Sequence, residues 1–274
     1  MAIEESAIDV DGVPAFVRTK PGDGPPVVLV HGNPTHSEDW LPFLERLPGP
    51  ALAPDLPGWG RSERPPRGRF VGTMHGLAAF LERLLERLGV DEYRLVVHDW
   101  GALALIAAQA HPDRVRRLVV INGVPLLPGY RWHWIARYVW RRRGVGEFFN
   151  AISTRAGTAL LLRQTTADGR PMPDEFVDMI WRRFDRGTRR AILELYRSAP
   201  EEALAAAGSR LGELGCPALV VWGAGDRFLP VEFGRLYAKR LPNAELVELA
   251  DAGHWPWIER VDLVDRVVAF LDAG

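Results

Sequence analysis

Asp99 stands where a carboxylate could act as a nucleophile. The stretch Leu95-Val96-Val97-His98-Asp99-Trp100-Gly101-Ala102 carries a strand-like run through an acid and a small residue into a helical run over 103–110. That strand–turn–helix order is the setting of a nucleophile elbow, in which the reactive side chain stands on a sharp turn above a sheet. The helix N-terminus that follows favours negative charge at Asp99. A plain helix cap would also place an Asp here, so the chemical role depends on its partners. A carboxylate attacking an ester carbonyl would form an anhydride; Asp99 suits displacement at a saturated carbon, leaving an alkyl ester on its own side chain.

Hydrolysis of that ester requires an activated water, and therefore a base. Ala252-Gly253-His254-Trp255-Pro256 forms a loop between a strand-like run at 246–249 and a final helix over 261–271. Of the seven histidines, His254 alone has such a context. His98 lies on the strand side of Asp99 and reads as structural, and His111, before Pro112, reads as a helix-end residue. A third group should orient the imidazole. Asp226 closes a buried run, 218–222, that ends in a Gly-rich loop, giving the chain order nucleophile, acid, histidine. The strand at 118–121 is followed by Asn122-Gly123 and offers no carboxylate. His31-Gly32-Asn33-Pro34-Thr35 follows the first core strand, where the backbone N–H of Asn33, with that of Trp100, can face the ester oxygen as it becomes an oxyanion. The loop 55–62 serves as a scaffold.

The elements that position these groups have a regular rhythm. Apolar runs at 27–30, 94–97, 118–121 and 218–222 lack alternation, as parallel strands covered on both faces do. Between them, 74–88 places Leu77, Phe80, Leu81, Leu84, Leu85 and Leu88 on one helical stripe before Gly89. Alternating strands and helices predict an α/β fold with a mostly parallel, doubly wound sheet. The rhythm breaks after Asn122: residues 124–210 are rich in Trp and Arg and read as an inserted helical cap. Residues 1–123 and 211–274 then form the core, with the cap over the carboxyl ends of the strands.

Composition bounds the partners. The chain has 274 residues and a formal net charge of −1, so neither nucleic acid nor a membrane is expected as partner. Arg141-Arg142-Arg143 reads as a solvated helix face. The single cysteine, Cys216, allows no intrachain disulfide and fits a reducing compartment. The first residues carry acids and no long apolar stretch, and no segment has the roughly 18 apolar residues of a membrane helix. A cytoplasmic enzyme is expected, with no cofactor and no metal.

Taken together, HGNPT (31–35), DLPGWGRS (55–62), VVHDWGA (96–102), WGAGD (222–226) and AGHWP (252–256) resemble the α/β-hydrolase group that contains epoxide hydrolases and haloalkane dehalogenases. The resemblance spans nearly the whole chain and is weakest in the cap. It implies a small apolar epoxide or halogenated substrate, with water as second reactant. Asn33 and Trp100 resemble the dehalogenase pair whose side-chain N–H groups cradle a departing halide; epoxide hydrolases usually carry an aromatic residue where Asn33 sits. Epoxide hydrolases resemble one another in two cap tyrosines that serve the departing oxygen. Leu195-Tyr196-Arg197 fits the second of these, and Tyr138, or alternatively Tyr130, the first. The tyrosine pair is demanded by one chemistry only, so the expectation is an epoxide hydrolase. A haloalkane dehalogenase is the alternative, followed by a β-lactone-opening enzyme and a non-catalytic binding member of the fold.

Overall fold

The computed structural model describes residues 2–63 and 72–273. Eight strands form one sheet: β1 (Glu4–Val10), β2 (Val13–Lys20), β3 (Val27–Val30), β4 (Ala51–Pro54), β5 (Tyr93–Asp99), β6 (Val115–Gly123), β7 (Ala218–Gly223) and β8 (Ala244–Leu249). Their order is β1-β2-β4-β3-β5-β6-β7-β8. β2 runs antiparallel to β1 and β4, and all pairings from β4 through β3 to β8 are parallel. The α/β class and the mostly parallel sheet are therefore as expected. The two amino-terminal strands and β4 add to the five runs read from sequence. β1 is an edge strand that buries little besides Val10, so it lacks the apolar signature of a covered strand.

The helices are α1 (Leu41–Arg46), α2 (Met74–Arg87), α3 (Ala104–Ala110), α4 (Val145–Ile152), α5 (Arg155–Leu162), α6 (Asp174–Arg183), α7 (Arg186–Ser198), α8 (Glu201–Ala207), α9 (Val231–Arg240), α10 (Pro256–Glu259) and α11 (Asp262–Asp272). Alternate residues of the central strands feed two cores. Leu95, Val97, Leu118 and Val120 pack with α2 and α3, whereas Val96, Val119 and Ile121 face the side of α1 and α11. This two-sided burial is why these strands read as continuous apolar runs. Between Gly123 and Ala218 the described chain adds helices and no strand. Among the described residues no helix is long and apolar enough to cross a membrane.

Candidate active site

β5 delivers Asp99 and then turns sharply into a short helical turn and α3. Asp99 itself adopts φ 47° and ψ −122°, a left-handed conformation that costs a side-chain-bearing residue energy and that the packing around it must enforce. Gly101 makes the turn possible: a Cβ there would lie 2.0 Å from the carbonyl oxygen of Val30. Gly32 is needed for the same reason on the facing loop, where a Cβ would meet that of Asp99 at 2.4 Å.

The carboxylate of Asp99 is buried, and its two oxygens differ in surroundings. Oδ2 accepts the backbone N–H of Asn33 at 2.7 Å, and the backbone N–H of Trp100 also serves the group. Oδ1 faces His254 Nε2 at 3.8 Å, beyond a direct hydrogen bond. Burial raises the pKa of Asp99, against the opposing influence of His254 and the two backbone donors.

His254 is held from every side. Its Nδ1 donates to Asp226 Oδ2 at 2.7 Å, which leaves Nε2 toward Asp99. Its backbone N–H donates to the Thr165 carbonyl at 2.7 Å, and its carbonyl accepts from His98 Nε2 at 2.8 Å. Burial alone would lower its pKa, but the carboxylates of Asp226, Asp99 and Asp39 outweigh burial and raise it. His98 has the opposite balance: buried and beside His254, it is held well below the usual histidine range, hence neutral. Asp226 is fully engaged. Oδ1 accepts the backbone N–H groups of Phe228 (2.8 Å) and Leu229 (3.1 Å), and Oδ2 accepts Asn122 Nδ2 at 2.8 Å beside the imidazole.

The side chains proposed for the leaving group also converge. Trp59 Nε1 donates to Asn33 Oδ1 at 3.3 Å, so the loop 55–62 fixes the Asn33 amide and leaves its Nδ2 free to donate elsewhere. The indole N–H of Trp100 is buried with no hydrogen-bond partner among the described residues. Tyr196, on α7, packs its ring edge-on against Trp100 with centroids 5.1 Å apart. Burial and the charge of Asp99 raise the Tyr196 pKa well above the usual phenol range.

Asn33, Asp99, Tyr196 and His254 line a cavity of about 260 Å³, closed by aromatic residues including Trp132, Trp140 and Phe228. Two expectations fare differently here. Tyr138 is not brought to the cavity: its ring is half exposed between Arg137 and Arg142. Tyr130 is buried, but its hydroxyl points to the Phe228 carbonyl at 3.5 Å and the residue is not part of the cavity wall.

A model of the alpha/beta hydrolase fold family matches residues 25–261. The chain belongs to that family. As an α/β-hydrolase it is 30% identical to a haloalkane dehalogenase of Bradyrhizobium diazoefficiens, over 95% of this chain and 91% of that protein. It is 29% identical to a cis-3-alkyl-4-alkyloxetan-2-one decarboxylase of Shewanella oneidensis, over 85% and 77%. An epoxide hydrolase 2 of Siraitia grosvenorii is 39% identical over 44% of this chain and 39% of that protein. Among solved structures, a haloalkane dehalogenase from Bradyrhizobium elkani superimposes with a TM-score of 0.85 at 26% identity, covering 99% of both chains. The protein is thus a hydrolase of the α/β fold, with relatives of several substrate classes.

Several contributors of this α/β-hydrolase site carry no motif of their own. Asn122 looked empty as an acid position, yet it donates to Asp226 and accepts the Gly223 N–H at 2.9 Å through Oδ1. Glu259 accepts the N–H groups of Gly253 (2.6 Å) and Ala167 (3.2 Å), joining the His254 loop to the segment after α5. Asp39 accepts from Trp255 Nε1 at 3.1 Å. Among the described residues no group of three or more His, Cys, Asp or Glu side chains is arranged to hold a metal ion.

Proposed function

We propose that the protein is an epoxide hydrolase working through an Asp99 alkyl ester. The observation that carries this reading is Tyr196, buried, packed edge-on against Trp100 and lining the same cavity as Asp99. In the first step Asp99 Oδ1 attacks an epoxide carbon as the carbon–oxygen bond breaks, and Tyr196 gives its proton to the departing oxygen. The high phenol pKa keeps that proton in place until an alkoxide forms. Asn33 Nδ2 and the Trp100 indole N–H stabilise the phenolate, which is the task a second tyrosine would otherwise share.

In the second step His254 takes a proton from water, and the hydroxide attacks the ester carbonyl carbon. The Asn33 and Trp100 backbone N–H groups stabilise the oxyanion. Collapse releases the diol, with one water oxygen retained in Asp99, and the imidazolium returns its proton to Tyr196. Asp226 holds the tautomer and the charge of His254 throughout.

A haloalkane dehalogenase is the second reading. It is favoured by the unpartnered Trp100 N–H and the anchored Asn33 amide, which a halide would satisfy without any acid. A parallel assay with styrene oxide, 1,2-dibromoethane and a cis-3,4-dialkyloxetan-2-one separates the possibilities. Diol formation as the dominant activity, slowed by Tyr196→Phe, supports the proposal. Bromide release that exceeds it and is insensitive to Tyr196→Phe replaces it with the second reading. Preferred consumption of the oxetanone, whose carboxylate leaving group needs no proton, overturns both.

A further inference from the structure

The net charge of −1, which taken alone argues against a membrane partner, conceals an uneven distribution. Residues 124–146 contain five arginines and no Asp or Glu. Arg141 pairs with Glu201, whereas Arg137, Arg142 and Arg143 are exposed and have no ion-pair partner among the described residues. Glu147, the first acid that follows, is tied to Arg197.

Beside these arginines the cap exposes large apolar side chains. On α4, Val145, Phe148 and Ile152 recur at helical spacing on one face; Phe148 is 67% exposed and Ile152 58%. Leu160 on α5 is 66% exposed. Trp134 reaches across to the end of α5, donating from Nε1 to Gln164 Oε1 at 3.1 Å. Large apolar side chains exposed on two consecutive helices whose junction lines the cavity mark an interaction site. It also adjoins the entrance of the cavity, because Ile152, Thr154 and Gly157 are exposed and line the cavity at the same time.

We propose that this face of the cap docks on a lipid surface carrying anionic headgroups, with the apolar side chains in the acyl boundary and the arginines at the headgroups. An apolar helix face flanked by arginine and aromatic residues is the arrangement that lies in a membrane interface. Two other occupants fit worse. A second copy placed face to face would set two arginine clusters against each other and cover both cavity entrances. A protein partner seated here would block access to the site, whereas a lipid phase would deliver a lipophilic substrate to it. The proposal does not depend on the leaving group of the reaction.

The test is co-sedimentation of the full chain with vesicles of phosphatidylglycerol and phosphatidylcholine, against vesicles of phosphatidylcholine alone. The expected result is binding to the anionic vesicles that weakens at high salt. Phe148→Ser with Leu160→Ser should abolish it, and Arg142→Gln with Arg143→Gln should weaken it roughly tenfold or more; none of these side chains lines the cavity. No binding to anionic vesicles would overturn the proposal, as would binding that survives both double variants. Self-association in solution that the Phe148/Leu160 variant disrupts, without vesicle binding, would assign the face to a second copy instead.

Discussion

The charge on Asp99 sets the protonation of its own partner. In the free protein the Asp99 carboxylate is one of the groups that hold the His254 pKa up. Alkylation of Asp99 takes that charge from beside His254 Nε2 and passes it to Tyr196, which packs against Trp100, so His254 releases its proton more readily in the ester than in the free protein. The imidazole is therefore readied as a base when a base is required. Because only neutral His254 can activate water, ester decay in single-turnover experiments should rise with pH to a plateau. Its midpoint should lie below the His254 pKa measured by NMR in the unreacted protein; a midpoint above it would contradict this coupling. Tyr196→Phe removes the proton for the departing oxygen, and ester formation from styrene oxide should slow by roughly 10²–10⁴, with decay of the ester little changed. Rapid-quench kinetics read the two steps separately.

Which residues could do this was legible because each motif joins a chemical group to a turn. Asp99, His254 and Asp226 were placed by their loops, and the structure brings them within hydrogen-bonding range or close to it. Only position in the cap points to Tyr138. Nothing in helical spacing distinguishes an inward ring from one stacked between Arg137 and Arg142.

At the scale of elements, the loop that bears His254 is secured by two buried carboxyl groups. Glu259 holds Gly253 and Ala167 together. Glu259→Ala leaves two partly buried N–H groups without their acceptor and should cost about 1–2 kcal/mol in chemical denaturation, slowing ester decay more than ester formation. Asp39 behaves differently. Burial pushes its pKa up to about 7 from 3.8. Between those values the unfolded chain has already lost the proton that the folded chain keeps, so stability falls as pH rises from about 4 to about 7. The loss is on the order of 4 kcal/mol. Asp39→Asn retains an acceptor for Trp255 and should raise the melting temperature clearly more at pH 8 than at pH 5. An equal shift at both values would show that Asp39 is ionised throughout.

The central strands were legible because both faces are buried, and β1 was not because it lies at an edge with little covered. The helical break after Asn122 could be read from lost strand periodicity, but not the way α7 turns Tyr196 against Trp100, which only packing decides. Likewise, Asn122 and Glu259 act through contacts far apart in sequence or between loops, where local pattern carries no information.

At the scale of the whole molecule, a mostly parallel sheet sets Asp99, Asp226 and His254 at its strand ends, and the segment between Gly123 and Ala218 supplies Tyr196 and much of the aromatic enclosure. That division predicts that Tyr138→Phe, outside the cavity, leaves turnover unchanged. The whole account rests on the covalent ester. The most direct measurement is intact-mass analysis of His254→Ala after exposure to styrene oxide. The expected result is a stoichiometric adduct of the full substrate mass, located by peptide mapping on Asp99 and absent in Asp99→Ala. Normal turnover by His254→Ala, or an adduct on another residue, would contradict it.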